Sequence, residues 1–168
     1  MIAVCNSTPL IHLASIGQLA LLPRLFDRVY CTEQVFKETA IRGGDRADAQ
    51  SVRMAVFQEW LEVTPVPERL HSLYILLCMG LDAGEASTIA LALEMKPDAL
   101  LIDERSARIK AQSLELGAIL TGTIGVLARA KKTGLIPELK PLMNALLKSN
   151  FWIREELYRR VLEDAGEL

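Results

Sequence analysis

The sequence predicts an α/β protein, a three-layer α/β/α sandwich around a mostly parallel sheet, and three observations carry that expectation. Short apolar runs of strand length alternate with stretches of helical apolar spacing along nearly the whole chain, as strand–helix–strand crossovers require. One run, Ala99-Leu100-Leu101-Ile102, is continuously apolar, the pattern of a strand covered on both faces. The chain has 168 residues, 51% of them apolar and 24% charged, which suffices for one hydrophobic core and excludes a disordered segment.

In chain order, Ile2 to Cys5 reads as the first strand. The polar triplet Asn6-Ser7-Thr8 and Pro9 then start a helix, because proline gives up no needed N–H in a first helical turn. Arg28 to Cys31 is a second strand, followed by Thr32 as a helix cap and a helix carrying Val35, Phe36, Glu38 and Thr39. Gly43-Gly44-Asp45 breaks that helix. A helix over 46–58 and an extended segment from Trp60 to Val66 follow, then a helix from Arg69 to Cys78 that Gly80 ends.

Asp82 and Glu85 have the spacing of a capping box, and Ala86, Ile89, Ala90 and Leu93 continue it as a helix. The strand Ala99–Ile102 stops at Asp103-Glu104-Arg105, where a helix runs to Leu116. Ala118 to Leu120 is a further strand, closed by Thr121-Gly122-Thr123 and a helix to about Thr133. Leu139, Leu142, Met143 and Leu146 mark another helix, and Ile153, Leu157 and Val161 the last. The pattern reads as a single domain without repeats or low-complexity tracts.

Composition narrows the function. Lys plus Arg number 19 and Asp plus Glu 21, a net charge of −2, so the chain is not a globally basic nucleic-acid binder. No apolar stretch approaches the roughly 20 residues of a membrane span. The N-terminal Met-Ile-Ala-Val-Cys-Asn carries no basic segment of a secretory signal, so a cytoplasmic protein without membrane contact is expected. Cys5, Cys31 and Cys78 lie apart in apolar runs and read as buried thiols. G-x-S-x-G, P-loop and G-x-G-x-x-G motifs are all missing. His12 and His71 fall within helical apolar patterns and read as structural.

Right-handed crossovers bring the strand C-termini to one edge, where ligands bind. Asn6, Asp103 and Thr121 each follow a strand and should face one crevice. Glu38, Glu85, Asp103 and Glu104 are the acids that could line it. Clustered carboxylates repel unless protonated or bridged by a cation. A hard cation such as Mg²⁺ or Mn²⁺ takes such oxygen ligands and leaves room for phosphate, so metal-assisted phosphodiester hydrolysis suits the set. Between 105 and 132, Arg105, Arg108, Lys110, Arg129, Lys131 and Lys132 stand against the single acid Glu115, a belt suited to a phosphate backbone.

The ordered signals Val4-Cys5-Asn6-Ser7-Thr8-Pro9, Glu38, Leu81-Asp82-Ala83-Gly84-Glu85-Ala86, Leu100-Leu101-Ile102-Asp103-Glu104-Arg105 and Thr121-Gly122-Thr123-Ile124-Gly125 resemble a PIN domain, the fold of VapC-like toxin ribonucleases. They are most similar to a bacterial and archaeal branch described as predicted nucleic-acid-binding proteins; the resemblance spans about residues 1–136 and implies that 137–168 are a helical extension packed on the same domain. The resemblance implies a Mg²⁺- or Mn²⁺-dependent endoribonuclease acting on single-stranded or structured RNA, a homodimer, and a small antitoxin partner. It matches Glu38, Glu85 and Asp103 to acidic ligands, Glu104 to a further acid, and Thr123 to a hydroxyl that completes the site. Asn6 departs from the usual Asp, which makes a catalytically degenerate RNA- or antitoxin-binding module the alternative. Asp103, Glu85, Asn6, Glu38 and Glu104 are thus the expected catalytic and metal residues. Ser7, Thr8, Arg105, Arg108, Thr121 and Thr123 are the expected nucleic-acid contacts. The sequence gives no dimer interface, and the apolar helices after Gly80 and over Leu139–Leu146 are candidates for one.

Overall fold

Apolar runs too short for a stable helix pair with one another as strands, and the computed structural model, which describes residues Met1–Leu168, arranges five of them in one sheet. The strands are β1 (Ile2–Cys5), β2 (Arg28–Thr32), β3 (Leu61–Thr64), β4 (Ala99–Leu101) and β5 (Ile119–Thr121), in the order β3-β2-β1-β4-β5. Every pairing is parallel, more uniform than the mostly parallel sheet expected. Helices α1 (Ser7–Ser15), α2 (Leu22–Leu25), α3 (Glu33–Phe36), α4 (Ala47–Phe57) and α5 (His71–Leu77) precede α6 (Ala83–Met95). Then come α7 (Arg105–Ser113), α8 (Thr123–Lys132), α9 (Lys140–Lys148) and α10 (Glu155–Asp164).

The three layers follow from the two-residue period of a strand. Ala3 and Cys5, Val29 and Cys31, Ala99 and Leu101 point to one face and join the core under α1, α4, α8, α9 and α10. Val4, Tyr30, Leu100 and Ile102 point to the other, against α6 and α7. Register keeps the rows aligned, Val4 lying opposite both Tyr30 and Leu100. The C-terminal helices share the first core: Leu139, Met143, Leu146 and Leu162 are each at most 1% exposed within it.

Strand order turns the chain outward from β1 through β2 to β3, then back across β1 to β4 and β5. The reversal falls between β1 and β4, whose C-terminal ends lead to Asn6 and Asp103. In open parallel sheets that is where a ligand crevice forms.

Several expectations need correction. β5 begins one residue later than predicted because its register starts with Ile119 opposite Ala99. The helix expected to reach Leu116 ends at Ser113, where Leu114 and Glu115 donate back into a tight turn and Glu115 takes φ of 50°. A 3₁₀ turn at Leu19–Leu21, the short α2 and a π-helical segment at Lys37–Ile41 had no readable signal. Cys78 is exposed rather than buried, because the end of α5 and the turn after it leave Ile75, Leu76, Cys78 and Met79 facing outward. The two candidate dimer helices spend apolar residues inside the chain. Gly84 through Ala92 of α6 are all buried, and Leu139, Met143 and Leu146 belong to the core.

Candidate active site

Asn6 N–H donates to the Leu101 carbonyl and Ile102 N–H to the Thr121 carbonyl, each at 2.9 Å, so the three strand ends stay joined up to the crevice. There α1 begins with Asn6-Ser7-Thr8. Asn6 occupies the N-cap position, yet its side chain caps nothing. Its Nδ2 donates to Glu104 Oε2 at 3.3 Å, and its Oδ1 accepts from the Thr88 hydroxyl at 3.4 Å. The Ser7 hydroxyl donates to Glu38, and the Thr8 hydroxyl to Glu104. One polar triplet therefore holds two acids from distant parts of the chain, beside the positive end of the α1 dipole.

Glu38 lies in the π-helical segment, whose wider turn is a common device at functional sites. Its second oxygen accepts from Gln34 Nε2 at 2.9 Å. The carboxylate rests on the first turn of α6: a Cβ added to Gly84 would stand 2.3 Å from Glu38 Oε2. Next to Gly84, Glu85 closes the predicted capping box. Its N–H donates to Asp82 Oδ1 at 2.7 Å, while its Oε2 accepts from Asp82 N–H at 3.1 Å. The box fixes Glu85 at the helix start, and only 5% of the residue is exposed.

Asp103 does not cap α7, whose N-cap residue is Glu104. It reaches instead to α8, accepting from Thr123 N–H at 2.7 Å and from the Thr123 hydroxyl at 2.6 Å. Gly122 makes the approach feasible, since a Cβ there would lie 2.3 Å from Asp103 Oδ1. Thr121 packs its hydroxyl against Gly125 one turn into α8.

Electrostatics ties these residues together. Burial pushes the Glu85 carboxyl above its usual 4.5, and the charges of Asp82, Glu104 and Glu38 push it further, against the Asp82 N–H that pulls it down. Burial likewise raises Asp103 above 3.8; Glu104 adds to the rise, and the two Thr123 bonds oppose it. None of Glu38, Glu85, Asp103 and Glu104 has a Lys or Arg partner in an ion pair. The donor set is thus all hard oxygen, negatively charged and without a cation of its own, which fits Mg²⁺ or Mn²⁺. As the side chains stand, no three acidic, His or Cys groups are arranged around one ligation point.

A cleft of about 1130 Å³ opens beside Asp103 and Glu104, and Arg105, Arg108 and Thr121 also line it. Of the expected nucleic-acid contacts, these three face the cleft. The other three do not. Thr123 is fully buried with both donors spent on Asp103, and Ser7 and Thr8 spend their hydroxyls on Glu38 and Glu104, so all three orient carboxylates. Arg108 is half-buried and donates to the Ile102 carbonyl at 2.9 Å. The basic belt is divided as well: Lys131 pairs with Glu167 at 2.7 Å, and Arg129 lies over the Phe26 ring.

Sequence reasoning missed the C-terminal part of the cleft lining, Phe151, Trp152, Arg154 and Arg160. In the sequence Arg154 and Arg160 stand among the acids Glu155, Glu156, Glu163 and Asp164, which masks them as a basic feature. His12 is half-buried at the same cleft, edge-on to Phe151 with centroids 4.8 Å apart, and burial lowers its pKa below 6.5.

A family model described as DUF3368, PIN domain, matches residues 2–167. The chain belongs to this PIN-domain family. The parallel sheet with acids at its reversal point agrees with that membership. PIN domains are generally nucleases, hydrolases that typically use divalent metal ions. Among curated proteins and among solved structures, nothing matched. No helix of this PIN domain is long and apolar enough to cross a membrane.

Proposed function

We propose that this PIN domain is a metal-dependent endoribonuclease. One observation carries the reading: Asp103 and Glu104, which follow β4 and line an arginine-bearing cleft, have no cationic partner, and the Glu104 charge is felt by both Asp103 and Glu85. Asp103 and Glu85 would hold a Mg²⁺ or Mn²⁺ ion, with Asn6, Glu38 and Glu104 contributing directly or through water. Bound there, the ion supplies charge neutralisation at the attacked phosphate and activation of a water. Thr123 keeps Asp103 aimed into the crevice, Ser7 and Thr8 do the same for Glu38 and Glu104, and Arg105 and Arg108 hold flanking phosphates. Residues 1–136 carry this chemistry, and residues 137–168 wall the cleft.

Cytoplasmic location, a toxin role opposed by a small antitoxin, and a homodimer extend the same proposal. Ile75, Leu76 and Met79 of the α5 region are 65%, 62% and 84% exposed, an apolar face for a second copy to cover. A monomer mass in sedimentation removes the dimer from the account.

Asn6 favours one other reading, a degenerate module that binds RNA without cutting it, because its amide is committed to Glu104 and Thr88. Incubation of end-labelled single-stranded RNA with Mn²⁺, beside Asp103→Asn, decides between them. The nuclease account expects cutting by the wild type alone. Binding without cutting supports the degenerate module, and equal cutting by both proteins removes Asp103 from the mechanism.

A further inference from the structure

The segment joining α9 to α10 presents an aromatic ring to the cleft in a way the nuclease reading does not use. Its two neighbours are anchored: Phe151 is half-buried and edge-on to His12, and Ile153 is half-buried against the main core. Between them Trp152 is 77% exposed and lines the cleft. A tryptophan held in water by fixed neighbours forgoes the burial that makes it the most valuable of apolar side chains. The chain's other tryptophan, Trp60, instead packs against the core.

Around this ring the charges are uneven. Arg154, Arg160 and Glu156 line the cleft with it, as do Arg105 and Arg108 together with Asp103 and Glu104. None of these four arginines is in an ion pair. A ligand suited to the cleft carries repeated negative charge for the arginines and a flat, unstacked π-face for the indole. Single-stranded RNA has both, whereas a duplex keeps its base faces inside the stack.

We propose that Trp152 is the stacking platform for an unpaired RNA base beside the scissile phosphate, with Arg154 and Arg160 on the adjoining phosphates. This rests on the nuclease reading for the chemistry at Asp103, while the platform itself is a matter of binding. It makes unpaired RNA the preferred substrate and places that preference in the C-terminal extension, away from the acids.

The test uses the full chain carrying Asp103→Asn, titrated with a short single-stranded oligouridylate and with an RNA duplex of equal length. Indole fluorescence should be quenched by the single strand and not by the duplex. Adding Trp152→Ala should abolish the quenching and weaken single-strand binding about 5- to 150-fold, while Trp152→Phe should lose the quenching and retain most of the binding. Unchanged affinity in Trp152→Ala, equal quenching by the duplex, or no quenching by either RNA overturns the platform. The two readings fail separately. A platform that binds as described in a wild type that never cuts RNA contradicts the nuclease alone; metal-dependent cutting with the same kcat/KM in Trp152→Ala contradicts the platform alone.

Discussion

Asp103 at the end of β4 accepts two hydrogen bonds from Thr123 at the start of α8, one from its N–H and one from its hydroxyl. The bonds satisfy an N–H that a helix start would otherwise leave without a partner. They also hold a buried carboxylate in one orientation, although burial raises its pKa. An acid stabilised by neutral donors keeps its charge available for a cation, as one paired with arginine would not.

Replacing Thr123 with Val removes the hydroxyl bond and leaves the N–H bond. Partners that orient a metal ligand typically contribute about 10- to 100-fold to activity or metal affinity. Thr123→Val should therefore lose about that much metal-dependent cleavage and about 1 kcal/mol of stability. Thr123→Ser should keep both. Initial rates and urea unfolding of the two variants check the contrast.

Glu85 has a folded-state pKa above its unfolded one, so the metal-free native state binds the extra proton between the two values. Metal-free stability should fall as pH rises from about the ordinary carboxylate value through the raised one, and the penalty persists at neutral pH. Glu85→Gln keeps an oxygen for the Asp82 N–H and removes the charge. It should melt higher than the wild type at neutral pH without metal, and the difference should vanish at acid pH. Adding Mn²⁺ should raise the melting temperature of the wild type more than that of the variant. Calorimetric scans across pH read both effects.

Asn6 donates to Glu104, so Asn6→Asp would set a second carboxylate against an acid that has no counter-charge. Without metal this variant should be less stable than the wild type by about 1–3 kcal/mol, the cost of turning a buried donor into a like charge. Mn²⁺ should restore it, and cleavage should increase. Thermal melts with and without Mn²⁺ provide the check.

Glu167 fastens the C-terminus. It accepts from Leu139 N–H and Lys140 N–H and pairs with Lys131, which together lower its pKa to about 2. The stabilisation is complete above the unfolded pKa of about 4.5 and is lost as pH falls toward 2. Glu167→Gln should loosen residues 137–168 at neutral pH, seen as faster amide exchange in α9, and should match the wild type near the bottom of that range.

Much of this architecture was legible because local signals agreed. Asp82 and Glu85 stood at capping-box spacing, and both of their bonds form. The unbroken apolar run into Ile102 became a strand buried on both faces. The layering needed only the alternation of Ala3, Val4 and Cys5. What local pattern could not show was which side chains meet. A hydroxyl after a strand looks like a helix cap, yet Ser7 and Thr8 turn to acids 31 and 96 residues away. Nothing near Asp103 in the sequence points to Thr123, because that bond depends on how α8 leaves β5. Trp152 escaped notice because its exposure is set by the burial of its neighbours.

The central claim is that these acids hold a divalent ion, and titration of Mn²⁺ followed by the resonance of the free ion tests it without any choice of RNA. The wild type should remove free Mn²⁺ from solution with a saturable site, and Asp103→Asn and Glu85→Gln should each remove far less. A free-ion signal that the wild type leaves undiminished, or that both variants diminish equally, would contradict the account.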